Sequence, residues 1–92
     1  MAKKIKLNKK ETELIEGLSF DRQSTTKESI RNPYSGFSCL LDPQGVALYD
    51  YIKGCEAMSL YDKMQLALSL FRKLYPDEYY TLLDKPIKFI QL

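Results

Sequence analysis

A chain of 92 residues is long enough for one hydrophobic core and too short for a second independent one. Apolar residues make up 45% of it, which predicts a folded protein and not a disordered one. The formal net charge of +2 is far below the basicity of a dedicated nucleic-acid-binding domain, so nucleic acid is not an expected partner.

Several kinds of site lack their usual sequence signature. No run of eighteen apolar residues is present and no signal-peptide pattern follows the basic start, so we expect no membrane interaction and a cytoplasmic location. The chain has no histidine, which removes the commonest general base, and no phosphate-binding glycine pattern. Cys39 and Cys55 are expected to be free thiols. We therefore expect no enzyme activity, no catalytic residues, no metal and no cofactor.

The N-terminal part of the chain predicts one short helix. Residues 1–10 alternate Ile5 and Leu7 with lysines, a pattern that suits either an edge strand or a basic arm. Residues 11–19 carry apolar side chains at helical spacing, with Thr12 as a candidate cap. The first helix is expected over these residues.

Residues 21–38 are rich in hydroxyl groups and turn formers and predict a long loop, with room for one helical turn over residues 26–30. Loops of this length in small domains are often functional. Its candidate anion-binding or ligand-binding residues are Arg22, Lys27, Arg31, Tyr34, Ser35 and Gly36. Together they offer donors for a phosphorylated small ligand and a ring that stacks on a base. The alternatives are a mobile linker, or a connector that Tyr34 and Phe37 pin to the core.

Asp42-Pro43 is a strong helix start, because a carboxylate accepts from free backbone amides and proline at the first position loses no hydrogen bond. The second helix is expected to run from Pro43 to residue 53 or 56, with Gly54 as its favoured end.

The third helix is expected over residues 60–75, opened by a capping-box-like pair, Ser59 and Asp62, and ended by Pro76. Its apolar residues cover an arc of roughly 220°, wider than one-sided packing requires. Such a helix lies at the centre of a core or is shared between subunits. This predicts a homo-oligomer, a dimer or higher.

Pro76 also opens a short fourth helix whose first turn is acidic. The apolar tail, residues 85–92, is β-prone and expected to dock on the core, on a second subunit or beside Ile5 and Leu7. The fold class predicted is all-α or nearly so: a small bundle of three to four helices with a long loop before helix two and terminal segments able to form short strands. Residues 1–92 form a single domain, with the helical core over residues 11–84.

Seven tyrosines are more than a core of this size buries with every hydroxyl satisfied. Tyr79 and Tyr80 stand beside Tyr75, and tyrosine is enriched at protein interfaces. These three predict a partner-binding face. The alternative is that they are amphipathic side chains at the rim of the core.

Four segments carry a resemblance: Asn32-Pro33-Tyr34-Ser35-Gly36, Val46-Ala47-Leu48-Tyr49-Asp50-Tyr51-Ile52-Lys53-Gly54, Phe71-Arg72-Lys73-Leu74-Tyr75-Pro76 and Tyr79-Tyr80-Thr81-Leu82-Leu83-Asp84. Over residues 32–84 the chain resembles small uncharacterised proteins encoded by tailed bacteriophages. The resemblance implies a protein that acts in the cytoplasm of a bacterial host or is packed in the virion. It carries over no activity and no site residue.

These observations leave three functions open. The first is a phage-encoded accessory protein that binds and inhibits a host or defence component through the tyrosine face. The second is a sponge for a nucleotide signal that uses the loop. The third is a virion or assembly component, whose lattice contacts are the tail and the tyrosine face.

Overall fold

The computed structural model describes residues 6–33 and 35–83, and this part of the chain is mostly helical. Its elements in chain order are α1 (Lys9–Gly17), β1 (Glu28–Arg31), β2 (Ser38–Leu41), α2 (Pro43–Ala57), α3 (Tyr61–Leu74) and α4 (Pro76–Leu82). The two strands form an antiparallel sheet. A mostly helical domain with four helices is confirmed, but the strands make it more than a helical bundle.

Helix α1 begins earlier than predicted, because Asn8 and not Thr12 is its cap. The Asn8 side chain accepts from the Glu11 backbone N–H at 2.8 Å, and the Glu11 carboxylate accepts from the Asn8 N–H at 3.0 Å. This reciprocal pair is a capping box. Residues 6–8 have no regular secondary structure, so the edge-strand alternative is wrong for them, and residues 1–5 lie outside the described residues.

A β-hairpin occupies the second half of the predicted 21–38 loop. Residues 28–31 form β1, so the predicted helical turn over residues 26–30 is wrong. The register pairs Glu28 with Leu41 and Ile30 with Cys39. In the connection the Asn32 N–H donates to the Phe37 carbonyl at 2.8 Å. Gly36 has a φ of +82°, a left-handed conformation that favours glycine. The segment without helix or strand is therefore shorter than predicted, residues 18–27.

Helix α2 starts as predicted, since Asp42 Oδ1 accepts from the Gly45 N–H at 2.8 Å and Pro43 fills the first position. The predicted end at Gly54 is wrong, because the helix continues to Ala57. A Cβ at Gly54 would meet no atom within 4 Å, so this glycine faces open space.

A tight turn joins α2 to α3, and Ser59 takes a left-handed φ of +58° in it. The Leu60 N–H donates to the Cys55 carbonyl at 2.8 Å and closes the turn. Leu60 caps α3 without a side-chain hydrogen bond, so the predicted pair of Ser59 and Asp62 does not form. The extent of α3 agrees with the prediction within one residue at each end.

The core lies between α2 and α3 and is closed by β2 and α4. Its buried apolar residues are Leu41, Leu48, Tyr49, Ile52, Ala67, Leu70, Phe71 and Leu82. Phe71 is fully buried, as its place in the middle of α3 predicts. At the start of α3, however, Tyr61 is 59% exposed, so part of the wide apolar arc faces outward in the single chain.

An ion pair between buried Glu11 and exposed Lys73 attaches α1 to α3. Glu11 is only 1% exposed, and its carboxylate accepts from Lys73 Nζ at 2.8 Å and from the Ser69 hydroxyl at 3.3 Å. Burial alone would raise the pKa of the Glu11 carboxyl, but Lys73 and the N–H of Asn8 outweigh it and lower that pKa below its usual value. The charged form of Glu11 is therefore the one that the fold stabilises.

The short helix predicted to open at Pro76 is confirmed as α4, with Leu82 buried in the core. The predicted stop at residues 84–86, the apolar tail at 85–92 and any strand pairing of the two ends lie outside the described residues.

Candidate functional site

Tyr75 is built into the fold and does not stand free on a surface. Its hydroxyl donates to Asp42 Oδ1 at 2.7 Å and accepts from Gln44 Nε2 at 3.0 Å. Gly45 permits the approach, because a Cβ there would stand 3.2 Å from Tyr75 Cζ and 3.0 Å from Leu41 Cδ2. Burial, then the hydrogen bond to Asp42, raises the pKa of Tyr75. Tyr75 thus joins the end of α3 to the start of α2.

Tyr79 and Tyr80 lie on α4 and differ in exposure. Their rings meet edge to face, with centroids 5.5 Å apart. Tyr79 is half-buried and packs against the core, and the Arg72 guanidinium stands 5.8 Å from the centre of its ring. Tyr80 is 61% exposed. Of the three predicted tyrosines, Tyr80 has the most surface to offer a partner, and Tyr79 supports its ring.

The hairpin brings a second exposed aromatic residue to this end of α4. Asn32 is buried, and its side-chain Nδ2 donates to the Thr81 carbonyl at 2.8 Å. The same residue bonds the Phe37 carbonyl through its backbone N–H. Asn32 therefore joins Phe37, which is 71% exposed, to the backbone of Thr81, the residue that follows Tyr80 on α4. We call Phe37, Tyr79 and Tyr80 the hairpin–α4 surface.

This junction was not predicted from the sequence. The side-chain partner of Asn32 lies 49 residues away, so no local pattern indicates it. Cys39 lies on β2, which packs against α4, and burial, then the nearby Glu78 carboxylate, raises the pKa of its thiol. The one local signal was Gly36, which marks a turn between two runs able to form strands.

The predicted anion-binding residues fall into separate places. Arg22 donates to the carbonyls of Ile15, Glu16 and Leu18 at 3.1, 3.3 and 2.9 Å. These carbonyls lie at the C-terminal end of α1, where a cation is favourable. The Arg22 guanidinium also lies 4.2 Å from the centre of the Phe20 ring. Arg22 therefore holds the end of α1.

The other predicted donors belong to the hairpin or its approach. The Ser35 hydroxyl accepts from the Phe37 N–H at 3.1 Å, and an Arg31 guanidinium nitrogen lies 3.4 Å from where a Gly36 Cβ would stand. The structure thus brings Arg31 next to Gly36. Lys27 is exposed just before β1, and Tyr34 lies outside the described residues.

A cleft of about 260 Å³ opens between residues 19–28 and α2. Its lining residues are Ser19, Phe20, Ser24, Thr26, Glu28, Pro43, Val46, Ala47 and Asp50. None of the predicted anion-binding residues lines it, and its two charged residues, Glu28 and Asp50, are acidic. Two carboxylates repel a phosphate, so this cleft does not suit the predicted ligand.

No group of three or more cysteine, aspartate and glutamate side chains in the described part of the chain stands close enough to hold a metal ion. No described helix has the length and apolar character needed to cross a membrane. Cys39 and Cys55 are free thiols, as predicted.

Comparison with protein-family models, with curated proteins and with solved structures gives no match for this chain.

Proposed function

We propose that this chain is a non-enzymatic binding protein that contacts a partner protein through the hairpin–α4 surface. The observation that carries the proposal is that the buried Asn32 bonds both the carbonyl of exposed Phe37 and the carbonyl of Thr81, next to exposed Tyr80. Aromatic anchors of this kind supply most of the affinity in protein interfaces. Because Asn32 fixes the hairpin against α4, binding would order little additional backbone.

The finer proposal is that the chain is a phage-encoded accessory protein that binds and inhibits a host or defence component in the bacterial cytoplasm. Its support is the resemblance of residues 32–84 to small phage proteins. We propose self-association as a second property, supported by the exposed start of α3, where Tyr61 stands beside the exposed Met58. Light scattering across micromolar concentrations tests it, and a strict monomer contradicts it.

A pull-down from lysate of the natural bacterial host, read by mass spectrometry, tests the proposed surface. Tyr80→Ala and Phe37→Ala should each weaken capture of the same partner by at least about 30-fold in Kd, the effect of removing an interface anchor. Leu40→Ala is the matched control, since Leu40 is 56% exposed and Tyr80 is 61% exposed.

The outcomes separate the proposals. A partner that both hairpin–α4 variants lose and the Leu40 variant keeps supports the surface. A partner that all three variants retain equally contradicts it. The sponge alternative has its own assay, thermal melts with linear and cyclic nucleotides. It is the weaker proposal, because the Arg22 guanidinium already bonds three carbonyls of α1.

A further inference from the structure

A groove of about 250 Å³ lies between α3 and Tyr79 of α4. Its lining residues are Gln65, Leu68, Ser69, Arg72 and Tyr79. The four residues from α3 share one face of the helix, because side chains three, four and seven positions apart lie one above another. Of the five lining residues only Arg72 is charged, so the groove is basic.

The Arg72 guanidinium has donors to offer a ligand. It is exposed, and its one described contact is with the Tyr79 ring, whose centre lies 5.8 Å away. Within residues 6–33 and 35–83 it forms no ion pair and no hydrogen bond. A guanidinium carries five N–H donors, and the exposed amide of Gln65 adds two more. Arg72 differs in this from Arg22, whose donors are used by α1.

The groove adjoins the hairpin–α4 surface. The Tyr79 ring forms one wall of the groove and meets the Tyr80 ring edge to face at 5.5 Å. Arg72, Tyr79 and Tyr80 therefore form a continuous row. Arginine and tyrosine are two of the residue types enriched among the anchors of protein interfaces. A partner that contacts Tyr80 thus lies close enough to reach Arg72.

The charge of the groove matches a carboxylate better than a phosphoryl group. A phosphorylated side chain carries a charge of about −1.5 to −2 at neutral pH and needs more than one cation. The next cation along α3, Lys73, is already bonded to Glu11 at 2.8 Å. The Ser69 hydroxyl also donates to Glu11. One guanidinium remains, and it balances one negative charge.

We propose that this groove binds the carboxylate of an aspartate or glutamate side chain of the partner protein. The proposal rests on the proposed function, since it names the chemistry of a partner that contacts the hairpin–α4 surface. The planar guanidinium of Arg72 holds the carboxylate through two parallel hydrogen bonds. The partner's contact segment is therefore acidic beside the part that packs on Tyr80.

A nuclear magnetic resonance titration of the full-length protein tests the groove without the partner. The probe is tetraglutamate, acetylated and amidated so that only side-chain carboxylates are charged, and capped tetraglutamine is the neutral probe. Tetraglutamate alone should shift the side-chain amide resonances of Gln65. Arg72→Gln should weaken this binding at least about tenfold, through loss of a charge-assisted contact. Lys63→Gln is the matched control, because Lys63 is exposed on the same helix and the net charge changes equally.

Each other outcome overturns the proposal. Gln65 resonances that tetraglutamate leaves in place show that the groove binds no carboxylate. An equal loss in Arg72→Gln and Lys63→Gln shows an attraction of overall charge and not a site. A larger shift with inorganic phosphate than with tetraglutamate shows a phosphoryl site instead.

The pull-down supplies a second test. Arg72→Gln should weaken capture of the partner at least about tenfold, and Lys63→Gln should not. A partner that Arg72→Gln captures as well as the wild-type protein does overturns the proposal. The titration needs no partner, so its failure is a separate result from failure of the hairpin–α4 surface, which Tyr80→Ala and Phe37→Ala decide.

Discussion

Replacing Glu11 with glutamine removes the charge of a side chain that is 1% exposed while keeping its shape. The amide oxygen can still accept from the Asn8 N–H and from Lys73 Nζ, which lie 3.0 and 2.8 Å from the native carboxylate. A hydrogen bond to a charged group contributes about 1.5–3 kcal/mol, against about 0.5–1.5 kcal/mol for a neutral one. Two bonds weakened in this way should lower the free energy of unfolding by about 2 kcal/mol.

Urea unfolding at neutral pH measures this loss. Glu13→Gln is the control, because Glu13 is exposed on the same helix, and it should change the free energy of unfolding by less than about 0.5 kcal/mol. Equal stabilities of the two variants would refute the argument that the buried carboxylate of Glu11 attaches α1 to α3.

The same side chain predicts a pH dependence. The folded state lowers the pKa of Glu11 below the ordinary value of 4.5, so its contribution to stability is complete above that pH. The contribution is lost as the pH falls through the lowered, folded-state pKa. Urea midpoints measured from pH 7 downward should therefore fall less steeply below pH 4.5 in Glu11→Gln than in the wild-type protein. Urea midpoints that fall equally steeply with pH in the two proteins would contradict the lowered pKa of Glu11.

Five further substitutions are checked by urea or thermal melts. Asp42→Ala removes both the α2 cap and the hydrogen bond from Tyr75, so it should lower the free energy of unfolding by about 2 kcal/mol. Tyr75→Phe removes only the hydrogen bond and should lower it by about 1 kcal/mol. Because the pKa of Tyr75 is raised above 10.0, unfolding becomes more favourable as the pH rises past that value, and Tyr75→Phe should lessen this alkaline loss. Gly36→Ala, at a φ of +82°, should cost about 1 kcal/mol, whereas Gly54→Ala in open space should stabilise α2 by about 0.5–1 kcal/mol. Phe71→Ala should lower the free energy of unfolding by about 3–5 kcal/mol, because it leaves a cavity. A decrease no larger than that of Asp42→Ala would contradict the placement of Phe71 at the centre of the core.

The helices that local chemistry determines were predictable from the sequence. Asp42-Pro43 and Pro76 fix helix starts through local chemistry, a capping carboxylate at Asp42 and proline at the first helical position, and the structure confirms both. Asn8 and Glu11 carry an equally local signature, a capping box, but Thr12 also satisfies the rule for a cap and stands closer to the apolar residues. The start of α1 was predicted wrongly because Asn8 and Thr12 both satisfy the local rule for a helix cap.

The hairpin shows where local reasoning fails. Strands of four residues carry too few positions for a period to stand out, and hydroxyl-rich residues 24–29 read as loop. What stabilises the hairpin is tertiary: Leu41 is buried against α2 and Asn32 bonds Thr81. The roles of Arg22 and Tyr75 likewise depend on partners that only the folded chain brings near.

The attachment of α1 has a consequence for how the molecule opens. Glu11 meets Ser69 and Lys73 at sequence separations of 58 and 62, so closing that loop costs entropy that these polar contacts and the packing of Leu14 and Ile15 must offset. Helices held in this way detach at a lower free energy than the core does. Helix α1 should therefore open as a separate unit while α2 and α3 remain packed, and a protease should first cut the irregular residues 18–27 that follow it.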